Sequence, residues 1–161
     1  MKERMDYSSA APGLMKALNG LQNYVDHSSL EAPLLELVRI RASQINGCAY
    51  CIDMHTKDAR AAGETEQRIY MLNAWRESPF YTERERAALE WAESLTLISS
   101  DKVSDALFES VRQHFSETEL ADLSGAIIMI NGWNRLAIPF RDVPGVYQPK
   151  QRAKVAEPAQ A

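Results

Sequence analysis

EAPLLELVRIRASQINGCAYCIDMHTKDARAAG, residues Glu31 to Gly63, is two helical patterns joined at Asn46-Gly47. In the first, Leu34, Leu35, Leu37, Val38, Ile40, Ala42 and Ile45 are spread around most of the helix circumference, as in a helix packed on several sides. Pro33 falls in its first turn, where a missing N–H costs nothing. Asn46 is expected to cap a second helix from Gly47 or Cys48 to Ala62, with Gly63 in the left-handed position that ends helices. No alternation of β-branched residues competes with the helical period, and the same holds on either side.

Upstream, Leu14 to Tyr24 reads as helical. Downstream, Glu64 to Glu77 forms another pattern, stopped before Pro79. Ala88, Trp91, Ala92, Leu95 and Ile98 make a stripe ending at Ser99-Ser100-Asp101. From Ser104, Leu107, Phe108, Val111 and Phe115 recur at helical spacing, and from Ser116 so do Leu120, Leu123, Ile127 and Ile130. Thr82 with Glu85 and Ser116 with Glu119 match the capping box and set helix starts near 83 and 117. The expectation is all-α: one domain of about six to seven helices over residues 13–147, oligomerising through helix faces such as that of residues 117–138. An N-terminal arm, residues 1–12, precedes it, and a mobile C-terminal tail without apolar pattern, residues 148–161, follows.

A chain of 161 residues fits one such domain, which buries roughly 70% of its unfolded surface without metal or disulfide staples. Apolar residues make up 45% and charged residues 25%, against 7 Gly and 7 Pro, which excludes disordered, collagen-like and disulfide-framework chains. With a net charge of −4 and a pI near 5.4 there is no electrostatic footprint for nucleic acid. Met1 to Pro12 lacks the apolar core of a secretory signal, and the longest apolar stretch, Ala126 to Ile130, is far short of the roughly 20 residues that cross a bilayer. A cytoplasmic protein without nucleic-acid or membrane partners is expected. In that compartment thiols stay reduced, so paired cysteines suggest metal binding or redox chemistry before a structural crosslink.

The pair is Cys48 and Cys51, with His55 four residues after the second. At 100° per residue, Cys51 lies about 60° and His55 about 20° from Cys48 around a helix, so the three share a side. The thiolate is the reactive form, and a thiol of pKa about 8.5 needs help to ionise at neutral pH. The helix dipole favours Cys48, whereas a base at i,i+4 favours Cys51, and periodicity leaves the nucleophile open. Glu36 sits in the helix packed on several sides. Either it is a solvated partner of Arg39 at i,i+3, or it is partly buried with a raised pKa and passes protons to an imidazole.

Other readings of the cysteines are weaker. A zinc site takes four ligands, and beyond these residues only the distant His27 and His114 remain. Ile52 follows the second cysteine where haem attachment requires histidine. Two inert core thiols are the remaining alternative. Trp75, Trp91 and Trp133 fit core or interface packing, and Met54 and Met71 need no functional explanation. No cofactor or metal is called for.

At Glu36, Cys48, Cys51 and His55 the spacing E-x11-C-x2-C-x3-H resembles that of the AhpD-like alkylhydroperoxidases within the carboxymuconolactone decarboxylase superfamily. The words Arg41 to Cys48 and Cys51 to His55 look like that family's core. The resemblance is strongest over residues 31–65 and extends to about 140 through the order of helices. It implies an all-helical fold assembled into trimers or hexamers that reduces organic or hydrogen peroxide, an antioxidant, peroxiredoxin-type activity. By the same resemblance Cys51 is the peroxidatic thiol, Cys48 resolves its sulfenic acid to a disulfide, His55 and Glu36 relay protons, and a dithiol donor returns the electrons. Tyr50 departs from the pattern: the best-known member has histidine there, and tyrosine donates a hydrogen bond without acting as a base near neutral pH. Members that decarboxylate a lactone generally lack the cysteine pair. Two other functions use the same residues differently: a protein disulfide carrier with little peroxidase activity, and a non-catalytic helical assembly module in which the cysteines merely pack.

Overall fold

A computed structural model describes residues 2–100 and 102–149. All regular structure among them is helical: α1 (Tyr7–Ala10), α2 (Pro12–Asp26), α3 (Ala32–Asn46), α4 (Ala49–Ala61), α5 (Glu66–Met71) with a 3-10 turn (Leu72–Ala74), α6 (Glu83–Thr96), α7 (Asp105–Arg112) and α8 (Glu117–Phe140). The helix beyond the seven expected is the short α1, which lies within the N-terminal arm. Of the C-terminal tail, residues 150–161 lie outside the described residues. No helix among the described residues is long and apolar enough to cross a membrane.

The middle of the molecule is α3, with α4, α6 and α8 packed around it. This explains its sequence: Leu34, Leu35, Leu37, Val38, Ile40 and Ala42 are all buried, so the apolar residues cannot be confined to one stripe. On one side, Val38 joins Val25, Ala88, Trp91, Leu123 and Ile127 in the main core among α2, α6 and α8. On another, Leu37 and Ile40 meet Ala59 of α4, Leu72, Trp75 and Leu89. A third, smaller cluster joins Ala42, Cys48, Cys51, Ile130 and Ala137. The cysteine pair is thus packed against the α3–α8 seam.

Both capping boxes form as read: the Thr82 and Ser116 hydroxyls accept from the N–H groups of Glu85 and Glu119, whose carboxylates accept from the cap N–H groups in return. Two boundaries differ from expectation. Asn46 is the last residue of α3, not a cap of α4, because Gly47 takes the left-handed conformation (φ 71°) that ends α3 there. The Asn46 amide instead donates to Asn131 and Asn134 of α8 at 2.9 and 2.8 Å, tying the two helices together beside the cysteines. The pattern over Glu64–Glu77 is also interrupted: α5 stops at Met71, and the chain tightens into the 3-10 turn that delivers Trp75 to the core. Gly63 is left-handed as read (φ 100°).

Candidate active site

The end of α3 builds the start of α4. With Gly47 left-handed, the Cys48 N–H closes on the Ser43 carbonyl at 3.0 Å, and Cys48 stands outside α4 as its N-cap. Its Sγ accepts from the Cys51 N–H at 3.3 Å, the cap position in which a thiolate would meet the positive end of the helix. Cys51, one turn into α4, is joined to Cys48 in a disulfide with a Cα–Cα distance of 5.3 Å.

One turn beyond Cys51, His55 is buried, and its Nδ1 lies 2.9 Å from Glu36 Oε2. That bond sets the ring: facing a carboxylate, Nδ1 carries the proton and Nε2 is left as the basic nitrogen. The other Glu36 oxygen accepts from Arg39 at 2.7 Å, and Arg39 in turn pairs with Asp26 of α2. The result is a line of paired side chains, Asp26–Arg39–Glu36–His55, running through the wall between α2, α3 and α4. The geometry takes one element from each reading of Glu36, the Arg39 pair and the burial beside an imidazole, and overturns two others, its solvation and its raised pKa. It does pair with Arg39, but its side chain is only 14% exposed and its second oxygen is committed to the imidazole. Burial pushes its carboxyl up, and the His55 and Arg39 bonds and charges outweigh that and hold it below the usual value.

Cys51, His55 and Glu36 line a cavity of about 740 Å³ that also takes in Met15 and Asn19 of α2 and Ala137 of α8. Of the two cysteines, Cys51 is the one on its wall. Tyr50 lines it as well, its phenol raised by burial and by the nearby Asp142 and Asp53, so it is a hydrogen-bond donor there and not a base. Trp75 and Trp91 are core residues as read, and Trp133 packs against the main core as read while also walling this cavity, its indole N–H on Gln22 at 3.2 Å.

Two lining groups carried no signal that the reading above used. Asp58 sits on α4 at i,i+3 from His55, a spacing that could have marked it, and Tyr147 arrives from the segment after α8, which no periodicity could have placed. Glu36, His55 and Asp58 each offer one atom within 4.8 Å of the others. Two of the three already have partners there, the Arg39 guanidinium on Glu36 and the Tyr147 hydroxyl on Asp58.

The sequence pattern of the carboxymuconolactone decarboxylase family matches residues 12–94, a span that contains Glu36, Cys48, Cys51 and His55. The Bacillus subtilis protein YdfG, itself uncharacterized, is 50% identical over 138 residues, covering 86% of this chain and 94% of that one. The crystal structure of ATU0492 from Agrobacterium tumefaciens, a protein of unknown function proposed to be the antioxidant defence protein AhpD, superposes with a TM-score of 0.87 at 46% identity, covering 91% of this chain and all of that one. An uncharacterized peroxidase-related protein from Silicibacter sp. TM1040 superposes at 0.73 with 26% identity, over 81% of this chain and 70% of that one. A buried cysteine pair capping one helix, a glutamate–histidine bond across to the next, and these likenesses agree: the chain is an AhpD-like member of the carboxymuconolactone decarboxylase family.

Proposed function

We propose that this protein is a thiol-dependent hydroperoxide reductase acting on organic or hydrogen peroxide, with Cys51 peroxidatic, Cys48 resolving, and His55 and Glu36 as the proton relay. The observation that carries it is the position of Cys51 on the cavity wall, one turn from a histidine whose Nδ1 is already committed to Glu36. In the reduced enzyme His55 Nε2 takes the Cys51 proton and Glu36 stabilises the imidazolium. The thiolate attacks one peroxide oxygen: an S–O bond forms, the O–O bond breaks, and the departing oxygen takes the proton from His55 and leaves as alcohol or water. Cys51 is then a sulfenic acid, and Cys48 attacks its sulfur, the S–O bond breaking as the hydroxyl takes the Cys48 thiol proton and leaves as water, to give the disulfide. A dithiol donor attacks that disulfide, is itself oxidised, and restores both thiols.

The test is stopped-flow oxidation of the reduced protein by cumene hydroperoxide. Wild type should react rapidly, Cys51→Ser should lose at least about 100-fold, and Cys48→Ser should stop at a sulfenic acid detectable by mass. If all three react at the rate of an unactivated thiol, the peroxidase reading fails and a disulfide carrier takes its place. A homo-oligomer, trimer or hexamer, belongs to the same proposal, supported by Ile128 and Ile138, which stand exposed on α8. A monomer by light scattering would contradict it.

A further inference from the structure

His55 has a second acidic neighbour. On α4, Asp58 follows it at i,i+3, on the same face, and an oxygen of Asp58 lies within 4.8 Å of both His55 and Glu36. Asp58 lines the same cavity as Cys51. It does not point there unsupported: Oδ1 accepts from the Tyr147 hydroxyl at 2.7 Å. Tyr147 is itself fixed from behind. Its carbonyl accepts from Lys57 Nζ at 3.0 Å, the Gly145 N–H donates to Asp53 at 2.9 Å, and Lys57 and Asp53 pair with each other at 2.9 Å. The segment after α8 is thus strapped across the outer face of α4, and the strap delivers one phenol to one carboxylate.

Resting on the peroxidase reading, we infer that Asp58, held by Tyr147, is a positioning residue of the relay: a second carboxylate beside His55 whose charge sets the pH at which His55 takes the Cys51 proton. The two carboxyls are driven apart by their surroundings. Glu36 is held low by His55 and Arg39, whereas burial, helped by the charge of Glu36, pushes Asp58 up against the Tyr147 bond. Tyr147 stays a donor throughout the working range, because burial and the Asp58 bond both raise its phenol. The other charged and titratable groups around the cavity are Arg39 of α3, Asp26 and His27 at the end of α2, Tyr7 of α1, Asp142 of the strap and Tyr50 of α4. Of these, Arg39 is paired with Glu36 and Asp26, and Asp142 accepts from Tyr7 at 2.7 Å, so neither is free to take over the role of Asp58.

The test follows the His55 ring proton by NMR as a function of pH in the reduced full-length protein, assigned by its loss in His55→Asn. Asp58→Asn removes a negative charge but keeps an amide oxygen to accept from Tyr147, so the fold should stand. The midpoint of His55 should fall by about one pH unit or more, and the acid limb of the peroxide rate should move with it. Tyr147→Phe takes away the bond that favours the ionised Asp58 and should shift His55 the same way by less. It should add nothing when combined with Asp58→Asn, and Asp58→Glu should recover part of the shift. An unmoved His55 midpoint in Asp58→Asn, beside a wild type that turns over cumene hydroperoxide, overturns the assignment and leaves the peroxidase reading intact. A moved midpoint in a protein that never reduces peroxide sinks the peroxidase reading and keeps Asp58 as the group that sets His55.

Discussion

Two glutamates, Glu36 on α3 and Glu93 reaching α3 from α6, are twins by burial alone. Glu36 is 14% exposed and Glu93, on α6, is 12% exposed at the side chain. Burial pushes both carboxyls up, and their partners outweigh it and hold both below the usual value. What differs is the partners. Glu93 accepts from Arg41 Nε at 2.7 Å, from the Trp75 indole at 2.8 Å and from Arg76. All three are donors that keep their protons at any working pH. Glu36 shares one oxygen with an arginine and gives the other to His55, whose ring can donate at one nitrogen and accept at the other, on a helix that carries a buried cysteine pair. A buried, depressed carboxylate is therefore not by itself a sign of catalysis. What separates the two glutamates is whether a partner can accept a proton as well as donate one.

That contrast should break first in the rates. Glu36→Gln removes the charge behind the imidazolium and should slow peroxide reduction about 100-fold at pH 7, while Glu93→Gln should leave the rate within about twofold. Equal losses in both variants would mean that Glu36 acts only through folding. In stability the order should reverse. Glu93→Gln leaves the largely buried Arg41 facing a neutral amide and should cost about 2–3 kcal/mol by urea unfolding at pH 7, against roughly 1–2 for Glu36→Gln, where Arg39 keeps Asp26. The sign with pH follows from the depressed folded-state value. Glu93 contributes stability that is present above its unfolded pKa of about 4.3 and is lost as the pH falls through its lower folded value. The gap between wild type and Glu93→Gln should therefore be widest near neutrality and close below pH 4. A gap that held constant down to pH 3 would show that the loss comes from packing and not from the charge.

The difference between the twins was only half legible in the sequence. The helices were, because each strong signal is local: the capping boxes at Thr82 and Ser116 need four consecutive residues and formed as read. The register of Cys51 and His55 is local too, one turn of α4. Boundaries set by a competing local signal were misplaced. Asn46 is a good cap residue, but a left-handed Gly47 beside it ended α3 one step later and passed the cap to Cys48. The shortening of α5 depends on tertiary packing, since the 3-10 turn exists where Trp75 enters the core and reaches Glu93 across to α6. For the same reason Glu36 could be paired with Arg39 from spacing, whereas its bond to His55 spans 19 residues and two helices, and Tyr147 reaches Asp58 across 89. Spacing names the groups on one helix, and only the packing of α3 against α4 says which of them share a proton.

The weakest expected effect tests whether Glu93 is a latch or a desolvated network. Arg76 reaches Glu93 from outside: its side chain is 53% exposed, and its guanidinium stacks 4.3 Å from the centre of the Trp75 ring. Water can replace it on both contacts, so Arg76→Ala should cost only about 0.5–1 kcal/mol, the range of an exposed ion pair with a solvated cation–π contact, and should leave peroxide reduction unchanged. Arg41, at 14% exposure, already neutralises Glu93 from the inside. If Arg76→Ala cost as much as Glu93→Gln, the three donors would be acting as one network in which no member can be replaced by solvent. Glu93 would then resemble Glu36 in how tightly its partners are coupled, and the distinction between the two would rest solely on the proton of His55.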